Sequence, residues 1–266
     1  MQLWTTGHAM QLLPTLAVML VAAVLMRLWL GKKELNVRMI PLKIIAVLLV
    51  VLEIGKQIVS ASDGDYDLYH IPLHFCSLFI FMLPAMAFWN GKGAEKIRGI
   101  TAALCASMTI LLLIYPSLIF SDGNIRAFFK GYLDFHTVAF HNLVMFAFIL
   151  ILALRLHPVT VKGELKAALW FTVGFCVVSA VMAQILKTNY ANFYQCNVAP
   201  VEALRQTLQG VLGYVGAQVL YVVILSALNV LFVYASYWFF RLVRGIVTRF
   251  DKNGADIGKS EKEITV

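Results

Sequence analysis

Residues 71–118 read IPLHFCSLFIFMLPAMAFWNGKGAEKIRGITAALCASMTILLLIYPSL, and the fold class turns on how this stretch divides. It holds two apolar runs, 71–89 and 98–118, parted by Asn90-Gly91-Lys92-Gly93. Two glycines and Lys92, with Lys96 close behind, are turn residues, so the runs are two antiparallel helices joined by a tight loop.

A helix needs about 20 apolar residues to cross the hydrocarbon of a bilayer. Outward from the loop, further runs of that length lie at 10–30, 41–60, 135–156, 165–187 and 211–240. The spacing predicts an all-α polytopic membrane bundle of seven transmembrane helices. It forms one domain over 1–250, followed by a polar tail, 251–266, whose mixed charge and lack of apolar periodicity predict disorder. Composition agrees, because 266 residues with 61% apolar and 14% charged side chains carry more apolar surface than one soluble core can bury. The first run has no basic stretch before it and is too long for the core of a signal peptide, so it is expected to be retained.

Short cytoplasmic loops hold an excess of Lys and Arg. Seventeen of the 22 fall at 27–43, 92–98, 155–166 and 241–262, while only Lys56, Arg126, Lys130, Lys187 and Arg205 fall toward the other side, which holds the acidic turn Asp63-Gly64-Asp65-Tyr66-Asp67. The pattern places the amino terminus outside and the carboxyl terminus in the cytoplasm, with the chain a multi-pass protein of the cell membrane. The net charge of +8 therefore marks topology and lipid headgroups, and nucleic-acid binding is excluded. Of four cysteines only Cys196 lies in an exposed loop, so no disulfide framework is expected.

An ionisable group in hydrocarbon costs several kcal/mol unless it is paired or wetted, so each is a candidate site. At about 1.5 Å of rise per residue, Glu53, Cys76 and His141 all fall roughly 6–10 Å below the outer surface. Lys56 shares that layer, Gln184 and Asn189 close the sixth span, and Gln218 opens the seventh. The inner halves hold few such groups, among them Cys105, Asn229 and small hydroxyls such as Thr101 and Ser107. Polarity confined to one half-membrane from five spans points to a cavity there.

The densest reactive cluster is Tyr69-His70-Ile71-Pro72-Leu73-His74-Phe75-Cys76-Ser77. Pro72 suits the first position of a helix, which leaves His74 and Cys76 in its first turns on different faces. A thiol nucleophile then needs its base from another span, and His141 lies at matching depth; the plainer reading of Cys76 is a small buried hydrophobe. His136 and His141 stand about 140° apart around their helix. At most one therefore faces the cavity, and His136 falls at the headgroup level. Glu53 and Lys56, three apart, share a helical face and are expected to pair, either only to lower each other's cost or with Glu53 also orienting a histidine. His70 and His74 with Glu53 would make a zinc set, but Pro72 spoils the shared face, so neither metal nor cofactor is expected. The stretch 188–200, aromatic and rich in amides, reads as a lid carrying Asn189 and Tyr190, or as an ordinary interfacial belt.

The order Glu53, Ile-Pro-Leu-His-Phe-Cys-Ser at 71–77, Pro116, Phe-His-Asn at 140–142 and Thr-Asn-Tyr at 188–190 resembles the YwaF family of seven-span membrane proteins. That family is similar to transmembrane acyltransferases that remodel ether phospholipids, and more distantly to androgen-induced hydrolases of fatty acid esters. The resemblance implies a helical bundle with Cys76 as nucleophile and His141 as base, acting on phospholipids or acyl lipids. The chain departs from the pattern after Tyr190, where Ala-Asn-Phe-Tyr-Gln-Cys replaces a shorter stretch ending in a basic residue and proline. Asn189 or Gln184 would steady the oxyanion, and His74, Ser77, Tyr190 and Gln218 would support the pocket. The rival reading is a non-enzymatic binder or carrier of a small amphiphilic or polar ligand, served by Glu53, Lys56 and His141.

Overall fold

The computed structural model describes residues 3–62, 66–196 and 198–249. Asp63-Gly64-Asp65 of the acidic turn and the tail 251–266 lie outside the described residues. Those described form α1 (Thr6–Leu30), α2 (Leu35–Arg38), α3 (Ile40–Ser62), α4 (Phe79–Phe88), α5 (Ala94–Ile114), α6 (Asp122–Arg126), α7 (Tyr132–Ala153), α8 (Glu164–Leu186) and α9 (Ala199–Arg249), with no strand among them. Five helices, α1, α5, α7, α8 and α9, are long and apolar enough to cross a membrane. The 23-residue α3 carries Lys43, Glu53 and Lys56 along its length.

Small side chains put α5 at the centre. Ala102, Ala103, Cys105, Ala106 and Ser107 are fully buried, which lets α4, α7, α8 and α9 pack around it. Around the outside, Trp29, Leu28, Val211 and Val215 stand more than 70% exposed, an apolar surface that suits lipid and not water.

At one end of the bundle, arginines finish α7: Arg27 donates to the Ala153 carbonyl at 2.8 Å and Arg38 to that of Leu154 at 2.9 Å. Each satisfies a carbonyl that the helix end leaves without an intrahelical partner. Beside them His157, fully enclosed, sits between Glu164 at 2.9 Å and Glu95 at 3.4 Å, and Tyr237 donates to the other Glu164 oxygen at 2.7 Å. This ties α5, α8 and α9 together. Burial opposes the charged ring, but the two carboxylates outweigh it and hold His157 above the usual histidine value.

The turn at Asn90–Gly93 separates α4 from α5, with Gly93 in the left-handed conformation at φ 88°. Two expectations need correction. A helix from Pro72 through 89 was expected, whereas 71–75 are irregular, Cys76–Leu78 is a single 3-10 turn, and α4 has only 10 residues. At roughly 15 Å, α4 alone is half the hydrocarbon thickness. The carbonyls that a helix would use are taken by other partners: Ser179 of α8 donates to Leu73 at 3.0 Å and His74 Nε2 to Tyr69 at 3.0 Å. Near the other end of the chain, residues 199–210, expected to be loop, are helical and run into the last span. α9 is 51 residues long and is broken only at Gly213, whose φ 70° and ψ 171° belong to a region open to glycine alone.

Candidate functional site

At the end of the bundle away from His157, segments 69–77, 189–196 and 198–201 meet the first turns of α7 around a cavity of about 590 Å³. Its polar wall carries Glu53 and Lys56 of α3, His74, Cys76 and Ser77, and His136 and His141 of α7. Its apolar wall is Met108 and Leu111 of α5 with Leu225, Leu228 and Phe232 of α9. A cavity with this division suits an amphiphile, polar group toward α3 and α7 and chain toward α5 and α9.

Glu53 is the hub of the polar wall. Its Oε1 accepts from Lys56 Nζ at 2.8 Å and from Gln57 Nε2 at 2.8 Å, while Oε2 stands 3.4 Å from His136 Nε2. Gln57 also donates to the His70 carbonyl at 2.8 Å, which joins α3 to the irregular segment before α4. The carboxylate is 7% exposed, so these partners replace its water.

His141 is set differently. Its Nδ1 lies 2.6 Å from the Thr137 carbonyl, and since a carbonyl only accepts, Nδ1 carries the proton and Nε2 of the neutral ring keeps a lone pair. The same logic gives His74 an Nε2–H, bound to Tyr69, and a lone pair on Nδ1. Both rings are therefore in a form that can accept a proton.

Of the residues singled out in the sequence, Cys76, His141, Glu53, Lys56, His74, Ser77 and Asn189 line the cavity. Gln184, Tyr190 and Gln218 do not. Gln184 donates to the Phe193 carbonyl at 3.0 Å, so it is spent on backbone and is not available to an oxyanion. Gln218 donates to the same carbonyl at 2.9 Å and accepts from Arg205 at 3.3 Å; buried Tyr190 donates to Leu68 at 2.5 Å. Together they fasten segment 189–196 against the bundle. That segment is bent tightly, with Ala191 and Asn192 in the left-handed region at φ 48° and 64°, as is Lys187 at φ 50° where α8 ends. Non-glycine residues hold that conformation only where their surroundings enforce it.

The expectation that only one of His136 and His141 faces the cavity is corrected, because both line it. The cavity wraps around α7, and Phe140 between them is also in its wall. Nor is His136 an interfacial residue, since it is 8% exposed and faces Glu53. The sequence signal for it was the buried carboxylate, which needs cationic or donor partners from a neighbouring helix as well as from its own. Asn229, placed in the inner half, also reaches the cavity, at its apolar end. Among the described residues no group of three His, Cys, Asp or Glu is arranged to hold a metal ion.

The sequence model of the TMEM164 family matches residues 3–238, which include every residue named here as lining the cavity. The chain belongs to the TMEM164 family. TMEM164 is a transmembrane protein family, and its match, together with five membrane-length apolar helices, makes this an integral membrane protein. The family shown is TMEM164; the likeness to YwaF proteins rests on the motifs alone. Neither a curated protein nor a solved structure matches the chain.

Proposed function

We propose that this TMEM164-family chain is a lipid-directed acyltransferase or ester hydrolase of the cell membrane, with Cys76 as nucleophile and His141 as base. The observation that carries the reading is that one amphiphilic cavity is lined by the Cys76 thiol and by a His141 whose Nε2 lone pair is held ready. His141 takes the thiol proton as the sulfur attacks the acyl carbonyl carbon. The ester C–O bond then breaks, and the departing alcohol takes the proton from His141. Asn189 lines the same wall; its amide donates to Asn192 Oδ1 at 3.4 Å and accepts from the Gln195 N–H at 3.1 Å, and in this reading it turns to the oxyanion when substrate enters. The apolar wall accepts the acyl chain of a phospholipid or other acyl lipid. The order of the Leu-His-x-Cys-Ser, Phe-His-Asn and Thr-Asn-Tyr motifs, similar to that of YwaF proteins and of ether-phospholipid acyltransferases, supports this chemistry.

The same reading has seven crossings, amino terminus outside, with α3 as the second and the irregular segment 71–78 plus α4 as the third. Segment 71–75 is then non-helical backbone at membrane depth, which is tolerated where it lines a cavity. His74, Cys76 and Ser77 at its α4 end are in the cavity wall. The cavity opens toward the external side or the outer leaflet.

The test is labelling by a thiol-directed acyl probe, followed by peptide mapping, because Cys196 lines the same cavity. Modification confined to Cys76, and lost in a folded Cys76→Ala variant, supports the enzyme. Undiminished labelling in that variant removes Cys76 from the chemistry. A second reading, a non-enzymatic binder, draws on the charged group Glu53, Lys56 and His136 in the same wall. It is favoured if Cys76→Ala keeps full function while Glu53→Gln loses it.

A further inference from the structure

The two cavity histidines of α7 are held in different ways. His141 gives its Nδ1 proton to a backbone carbonyl, and among the described residues no carboxylate pairs with it. His136 turns Nε2 toward the Glu53 carboxylate at 3.4 Å, and Glu53 is in turn fixed by Lys56 and Gln57, each at 2.8 Å. A carboxylate on one ring nitrogen holds the imidazole in a single tautomer, orients it, and stabilises the imidazolium that forms when the other nitrogen takes a proton. With Nε2 turned to Glu53, Nδ1 is the working atom of His136.

We infer that His136, positioned by Glu53, is the base for the second half of the reaction and His141 the base for the first. This rests on Cys76 forming an acyl-enzyme. In the second half, the acceptor hydroxyl, from a lysolipid or from water, gives its proton to His136 Nδ1 as its oxygen attacks the thioester carbonyl. The C–S bond breaks, Cys76 leaves as thiolate, and the proton on His136 returns to the sulfur. Two acceptors suit a two-substrate reaction, because the departing alcohol and the incoming one need not occupy the same position against the thioester. The 3.4 Å separation is long for a hydrogen bond, as catalytic bonds often are before substrate is bound. His136 is also braced by ring contacts to Tyr132 and Phe140, at centroid distances of 6.5 Å and 5.2 Å, which keep it facing α3.

The two halves can be read separately with para-nitrophenyl octanoate as acyl donor and a lysophospholipid as acceptor, using the purified full chain in detergent. Release of para-nitrophenol in the first turnover reports acylation of Cys76; the steady rate reports transfer to the acceptor. His136→Gln is expected to keep the initial burst within about twofold and to slow the steady rate about 100-fold, the usual worth of a general base. An octanoyl adduct should accumulate on Cys76. Glu53→Gln should show the same split in smaller measure, about tenfold, and Glu53→Asp should restore part of it. If His136→Gln does not fold, the two Glu53 variants decide alone. An unchanged steady rate in them, or a lost burst with no adduct, overturns the assignment of His136. Absence of any octanoyl adduct on Cys76 in the unaltered protein overturns the acyl-enzyme itself, and the inference with it.

Discussion

His141 donates its Nδ1 proton to the Thr137 carbonyl, 2.6 Å away and one turn earlier on α7. The bond is local, so the tautomer is set by the helix and does not depend on a distant partner. Replacing His141 by Gln keeps a donor for that carbonyl but removes the lone pair from the cavity. Turnover should fall about 10²- to 10⁴-fold with the fold intact. Initial rates alongside a thermal unfolding curve check this; a rate within a few-fold of the unaltered protein would contradict it.

Glu53 and Lys56 form a buried pair at 2.8 Å with His136 at the other carboxylate oxygen. Glu53→Ala should cost about 3–5 kcal/mol, since it leaves a buried cation without its partner. Glu53→Leu combined with Lys56→Met should recover most of that stability, because an apolar pair of similar size removes both charges together. Turnover should not recover with it. Denaturation midpoints and rates measured on the same two preparations separate packing from chemistry.

The carboxylates around His157 predict a pH dependence of stability at the opposite end of the bundle. Its folded value is raised, so the stabilisation is complete below the unfolded value of about 6.5 and is lost as pH climbs through the folded one. Unfolding temperatures scanned from pH 6 upward should fall on the alkaline side. In His157→Gln that fall should be absent, and the protein less stable by about 3 kcal/mol, because Glu164 loses its buried partner. A parallel decline in both proteins would place the titrating group elsewhere.

Gly213 breaks α9 in a conformation that only glycine adopts freely, and a methyl group there would meet no atom within 4 Å. Gly213→Ala therefore tests backbone alone, at an expected cost of about 1–3 kcal/mol. The loss should appear first as faster hydrogen exchange in 199–212, the part of α9 before the break, whose Val201 lines the cavity. Unchanged exchange there would show that Gly213 does not set the position of the segment.

Much of the helical layout was legible, since lipid-facing segments must be apolar over a fixed length and the glycines at 91 and 93 have no place inside a helix. The Glu53–Lys56 pair was legible for the same reason of period, three residues along one face. Hydropathy reports whether a run suits lipid, but not where its backbone leaves the helix. The bonds from Ser179 and His74 that unwind 71–75 join groups far apart or outside the helical register, and no period records them. His136 escaped because its partner lies on α3, and counting 100° steps around α7 says nothing of how far a cavity extends around it. Gln184 was misjudged on depth, which cannot tell an amide facing a cavity from one spent on the Phe193 carbonyl.

The chemistry proposed for Cys76 and His141 is tested most directly by mapping acyl groups on the protein itself. The chain is reconstituted with a phospholipid carrying an isotopically labelled acyl chain, quenched in acid and digested, and the Cys76 peptide is weighed. A labelled thioester on Cys76, removed by hydroxylamine and absent when His141 is replaced by Gln, is the result expected. A Cys76 peptide that never gains the acyl mass, or gains it equally without His141, contradicts the account.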